Sequence, residues 1–169
     1  MSRRTASWLV GLALLLAGGG LIAWLLMTPP LELPDVAIAD LDGEPKTLES
    51  WAGKIRVVNF WATWCKPCRE EVPMLIAAQR DLTDHDVQII GLAMDDADTA
   101  ARFAQEYEIN YPVLADTSAV MRVQDQLRAG QGLPVTLVVD RRGRIEARAV
   151  GEITREDLDR MLAPLLKQP

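Results

Sequence analysis

Residues 55–73 read IRVVNFWATWCKPCREEVP, and the change of character halfway along this stretch decides the fold. From Ile55 to Trp61 the residues are β-branched or apolar almost without interruption. That is the pattern of a central strand buried on both faces. A helix is predicted over 65–82, so Cys65 and Cys68, the only cysteines in the chain, fall at a strand-to-helix junction. The thiolate is the species that exchanges disulfides, and a helix N-terminus favours negative charge. Cys65 at that position should therefore have a lowered pKa, with Lys66 adding a positive charge nearby. Cys68, one helical turn on, is within reach to resolve a mixed disulfide. Pro67 has no N–H to donate and pre-sets the first turn.

Three plainer readings of the cysteine pair are weaker. A structural zinc site needs further Cys or His ligands, and the single histidine, His85, falls in an expected loop. A disulfide closing so short a loop constrains little of the unfolded chain and stabilises weakly. Two ordinary core cysteines would not need the helix start. Redox chemistry is the expectation that uses both spacing and context.

Working outward, alternation at Val36–Ala39 followed by Asp42-Gly43 predicts a small strand or hairpin, and residues 48–52 a short helix. Beyond the motif, strands are expected at 87–94, 111–115, 135–139 and 144–150. Helices are expected from Asp95 or Asp96 to about Tyr107, over 118–126, and from Thr154, where Asp157 forms a near capping box. The order β-α-β-α-β-α-β-β-α puts parallel crossovers first and an antiparallel hairpin near the end. Met74, Met94, Met121 and Met161 are spaced as core residues.

Towards the N-terminus, residues 8–27, WLVGLALLLAGGGLIAWLLM, carry no charge. As a helix they would extend ~30 Å, the thickness of a bilayer's hydrocarbon core. Arg3 and Arg4 precede them, no acid appears before Glu32, and Trp8 and Trp24 lie near the two ends. The expectation is an uncleaved transmembrane anchor with residues 1–7 cytoplasmic and the rest outside. A cleaved signal peptide is the rival, but cutting at Ala17-Gly18-Gly19 would leave GLIAWLLM exposed. No Cys follows for lipid attachment, and Ser2-Arg3-Arg4 matches only part of a twin-arginine signal. Residues 28–34, rich in proline, read as a stiff linker, and 35–169 as the folded domain.

The chain beyond the anchor carries all 24 acidic residues but all except two of the 18 basic ones, a formal charge of −8 against −6 for the whole. So acidic a domain is a poor partner for nucleic acid, which needs Lys and Arg against its phosphates.

The segment from Asn59 to Cys68, NFWATWCKPC, closely resembles the active-site segment of the thioredoxin superfamily. The continuation CREEVP, to Pro73, resembles its TlpA/ResA branch of membrane-anchored thiol:disulfide reductases, and the likeness runs from about Pro34 to Leu166. It implies a thioredoxin-like α/β fold, a central mixed β-sheet flanked by helices, with an N-terminal β-hairpin extension and one preceding transmembrane helix. It implies that Cys65 attacks and Cys68 resolves, with no cofactor beyond the redox-active Cys65–Cys68 disulfide and no metal. Pro73 would match a helix-kinking proline.

Thioredoxin proper has an Asp where this chain has Asn59, and an amide cannot accept the proton that Cys68 must lose. The TlpA/ResA branch instead has a Glu three residues after the second cysteine, here Glu71. From the residues alone Glu71 is a solvated position beside Glu70; the resemblance makes it a buried base or acid with raised pKa. Pro134, in Gly132-Leu133-Pro134, matches the superfamily's cis-proline, and Leu133 would offer its backbone to an extended client. Trp64 and Pro67 are expected at the client surface and Trp61 in the core.

The implied activity is reduction of protein disulfides on the periplasmic or extracytoplasmic side of the cytoplasmic membrane. Protein thiols and disulfides are the substrates, apocytochrome c or copper-site proteins the typical clients, and a transmembrane electron donor restores the thiols. The alternatives are a thiol oxidase or isomerase using the same pair, a peroxidase sharing the fold, and a non-enzymatic copper-binding chaperone.

Overall fold

The computed structural model describes residues 33–130 and 132–167, together with Gly18 and Gly19. Nearly all of the expected anchor and of the linker lies outside the described residues. Among the described residues no helix is long and apolar enough to cross a membrane. Leu31–Pro169 forms one compact unit, which holds the cysteine pair and every strand found among the described residues.

That unit opens with an antiparallel hairpin of β1 (Ile38–Ala39) and β2 (Pro45–Lys46). Asp40 Oδ1 accepts from the N–H groups of Asp42 and Glu44 at 3.0 and 2.9 Å, and Gly43 takes φ +84°. This is the turn that Asp-Gly predicts. A 3₁₀ turn, Leu48–Trp51, comes next. Then comes β3 (Ile55–Trp61), buried at every residue as its composition requires.

The remaining elements are α1 (Lys66–Leu82), a second 3₁₀ turn (Thr83–His85), β4 (Val87–Ala93), α2 (Ala97–Glu106), β5 (Val113–Ala115), α3 (Thr117–Gln126), β6 (Val135–Val139), β7 (Ile145–Val150) and α4 (Arg155–Leu166). Asp96, Asp116 and Thr154 cap α2, α3 and α4, each side chain accepting an N–H of the first turn, and Thr154 forms the capping box with Asp157. Pro73 sits inside α1 without ending it.

The sheet order is β5-β4-β3-β6-β7, with β3 at the centre. β3 and β4 run parallel, as do β4 and β5, while β6 is antiparallel to both β3 and β7. One face of the sheet packs on α1, α2 and α4 through Val57, Trp61, Val72, Leu75, Phe103 and Leu158. The other packs on α3 and the first hairpin through Ile38, Val58, Phe60, Leu92, Val120 and Val123. An isolated bridge between Asp40 and Leu114 lays the hairpin along the β5 edge, covering backbone groups that would otherwise be open to pairing. The expected mixed sheet with its N-terminal hairpin is present.

Gly91, the register partner of Asn59, has a packing reason. A Cβ there would lie 2.7 Å from Trp61 Nε1 and 3.3 Å from Tyr111 Cε2. Trp61 is fully buried and its ring lies 4.9 Å from that of Phe103, so it has no room to yield. Gly91→Ala should cost ~1–3 kcal/mol by overpacking, measured by urea unfolding; an unchanged midpoint would contradict this packing.

Candidate active site

The register of β3 against β6 assembles the site. Phe60 pairs with Val135 antiparallel, so the end of β3 and the start of β6 lie side by side. The cysteine loop leaves the first and Leu133-Pro134 enters the second. The Leu133–Pro134 peptide is cis, and the Pro134 carbonyl accepts from Gly151 N–H at 2.9 Å.

Cys65 is the N-cap of α1, and its Sγ accepts from Cys68 N–H at 3.3 Å. The N–H groups of a helix's first turn have no intrahelical partners, and they and the helix dipole favour a thiolate there. The two cysteines form a disulfide. Cys65 is 6% exposed and Cys68 fully buried, so an external sulfur meets Cys65 first. The loop before them is tied down by Asp95, whose carboxylate accepts from Thr63 N–H and Oγ1–H, both at 2.8 Å. The Lys66 ammonium, expected to add a positive charge near Cys65, pairs with Glu70 one turn on.

Glu71 lies behind the disulfide, beneath the surface, on the same buried helix face as Cys68, Val72 and Leu75. It is 2% exposed. Oε1 accepts from Asn59 Nδ2 at 2.7 Å and Oε2 from Ile153 N–H at 3.2 Å. Asn59 Nδ2 also donates to Thr136 Oγ1 at 3.0 Å. Burial pushes the Glu71 pKa from 4.5 up to about 7; the hydrogen bonds from Asn59 and Ile153 oppose the rise and Glu152 adds to it. A group titrating there can take and return a proton at neutral pH. Glu70, by contrast, is exposed.

In front of the disulfide a groove of about 610 Å³ opens, lined by Trp64, Cys65, Pro67, Met94, Met121 and Leu133, with Gln124 and Asp125 on the α3 side. Trp64 is 68% exposed. Met121 overturns the core expectation: it is 56% exposed, off the face of α3 that buries Ala119, Val120 and Val123. The groove thus gathers Trp64, Cys65, Pro67 and Leu133, with Pro134 adjacent in sequence, whereas Cys68 and Glu71 lie below. Sequence reasoning missed Asp95, Thr136 and the α3 wall. It noticed Asn59 only as a missing acid.

Comparison with known proteins agrees with this geometry. Residues 29–148 match the model of the AhpC/TSA family. The thiol-disulfide oxidoreductase ResA of Bacillus cereus (strain ZK / E33L) is 31% identical over 76% of this chain and 73% of its own. The thioredoxin-like protein YneN of Bacillus subtilis (strain 168) is 29% identical over 78% and 76%. A crystal structure of a thiol:disulfide interchange protein, of the thioredoxin family, from Chlorobium tepidum TLS superposes with a TM-score of 0.72 at 28% identity. That alignment covers 82% of this chain and 98% of the other.

The buried carboxyl leaves a mark on stability. A carboxyl whose pKa is raised on folding stabilises fully below its unfolded pKa, and that contribution is lost as pH rises through the folded one. For Glu71 the window runs from 4.5 to about 7. Between roughly pH 5 and pH 8 the oxidised protein should lose ~2 kcal/mol more than its Glu71→Gln variant does, read by urea unfolding at both pH values. Equal pH dependence would mean that Glu71 titrates as a surface residue.

Proposed function

The chain belongs to the AhpC/TSA family, and from that premise we propose that it is a membrane-anchored thiol-disulfide oxidoreductase that reduces protein disulfides on the extracytoplasmic side. The observation that carries the proposal is the asymmetry of the pair, one sulfur reachable from a groove and the other buried next to a carboxyl that titrates near neutrality. Residues 8–27 supply the anchor, and the arginines before them set the orientation.

In the reduced enzyme the Cys65 thiolate, favoured by the start of α1, attacks the nearer sulfur of a client disulfide. The bond between the client sulfurs breaks, the farther one leaves as a thiolate, and Cys65 is joined to the client. Cys68 then gives its proton to the Glu71 carboxylate and attacks Cys65 Sγ. The mixed disulfide breaks, the Cys65–Cys68 bond forms, and the second client sulfur leaves as a thiolate. Glu71 returns its proton as the product leaves. The client has gained two electrons, and a membrane electron donor must supply two to restore the thiols.

Trp64 and Pro67 offer the apolar surface on which the client rests. Leu133, held by cis-Pro134, presents its backbone to an extended client segment. The reducing direction and the client class, apocytochromes c or copper-site proteins, follow from the likeness to the TlpA/ResA branch.

The test uses the full chain in membrane vesicles with an oxidised model protein such as insulin. Cys68→Ser should accumulate a covalent mixed disulfide with the substrate, and Cys65→Ser should form none and reduce nothing. A Cys65→Ser enzyme that still reduced insulin, or a Cys68→Ser enzyme that trapped nothing, would overturn the assignment.

A further inference from the structure

Both oxygens of Glu71 are tied to segments that are themselves hydrogen-bonded to the stretch carrying cis-Pro134 and β6. Oε1 is held by Asn59 on β3, and the same amide nitrogen donates to Thr136, the register partner of Asn59 on β6 and two residues beyond Pro134. Oε2 is held by the N–H of Ile153, two residues beyond Gly151, whose own N–H binds the Pro134 carbonyl. Asn59, Thr136 and Ile153 are all buried, so water does not readily replace a lost bond.

Asn59 is oriented at a cost. Both hydrogens of its amide are committed, one to Glu71 and one to Thr136, which turns Oδ1 away. Oδ1 is buried and has no hydrogen-bond partner among the described residues. An apolar side chain filling the same space would not carry the cost of an unpaired buried carbonyl oxygen.

The charge environment explains why a neutral donor matters. Glu152, in the turn before α4, opposes the ionisation of the carboxyl, and Tyr111, from the loop before β5, has a phenol whose pKa burial raises and the charge of Glu71 raises further. On α1 itself, Cys68 is held in the disulfide, Lys66 pairs with Glu70, and Arg69 donates to the Thr63 carbonyl. From α4, Arg155 is engaged by Asp81 and Asp159, and from α2, Arg102 by Thr99. Among the described residues no cation pairs with Glu71. Its ionised form therefore depends on uncharged donors, and Asn59 is the one supplied by a side chain.

We propose that Asn59 and Thr136 are positioning residues of the exchange reaction: Thr136 orients the Asn59 amide, and Asn59 holds the Glu71 carboxylate ready to receive the Cys68 proton. The proposal rests on the proposed function above, in which Glu71 is that acceptor. Thr136 acts through Asn59, and neither touches the client. Because Thr136 lies on β6, the strand that cis-Pro134 leads into, the acceptor is held in register with the loop that receives the client.

The experiment is the pH dependence of kcat/KM for disulfide reduction by the full chain, measured for the wild type and for Asn59→Leu, Thr136→Val, Thr136→Ser and Glu71→Gln. Loss of the Asn59 donor should raise the midpoint that lies near 7 by roughly one pH unit, a tenfold loss of rate on its acid side. Thr136→Val should move it the same way by less, and Thr136→Ser, which keeps the hydroxyl, should restore it. If Asn59→Leu does not fold, the two Thr136 variants carry the comparison alone.

Variants that lower Tm or reduce kcat/KM equally at every pH, with the midpoint unmoved, would make Asn59 and Thr136 packing residues and overturn the proposal while leaving Glu71's role intact. A midpoint that persists in Glu71→Gln would overturn the acceptor role itself, and this proposal with it.

Discussion

Antiparallel pairing of β3 with β6 is the constraint that builds the site. A parallel neighbour would have carried the start of β6 to the far end of β3, away from the cysteines. In the observed register Phe60 faces Val135 and Asn59 faces Thr136. The same pairing therefore puts cis-Pro134 beside the cysteine loop and Thr136 where it can orient Asn59. The groove and the buried polar cluster are two consequences of one strand alignment, on either side of the disulfide.

Two electrostatic devices then divide the labour between the sulfurs. Cys65 has the start of a helix, where unpaired N–H groups favour a thiolate without any ionised neighbour; Lys66, the nearest cation in sequence, is paired with Glu70. Cys68 is buried, where no solvent can take its proton, and has Glu71 one turn away. Burying a carboxyl without a cation is costly. The hydrogen bonds from Asn59 and Ile153 offset part of that cost, which is why its pKa settles near neutrality rather than far above it.

Much of the fold and site is legible in the sequence, for reasons that can be named. Strands β3, β4 and β6 carry β-branched runs, and the helix caps at Asp96 and Thr154 are ones that local chemistry predicts; the Asp116 cap is not picked out in that way, and its helix starts one residue earlier than expected. Glu71 and Glu70 look alike in the residues, and only the family resemblance singles Glu71 out as buried; in the structure it shares one helix face with Cys68, Val72 and Leu75. Met121 defeats a reading by residue type because its phase on the helix decides its exposure; Ala119, Val120 and Val123 define the buried face of α3. Asn59's partnership with Thr136 spans 77 residues, and a contact of that range has no local signature. The membrane segment is a reading of composition and length alone, since residues 8–27 lie almost wholly outside the described residues.

The direction of electron flow is the central claim, and the reduction potential of the Cys65–Cys68 pair tests it most directly. It would be measured by equilibration with glutathione or dithiothreitol in a soluble fragment beginning near Leu31. The account predicts a value near or below about −250 mV, among reductants such as thioredoxin. A value near about −120 mV, among strong oxidants, would contradict it: the same fold and the same cysteines would then be making disulfides rather than breaking them.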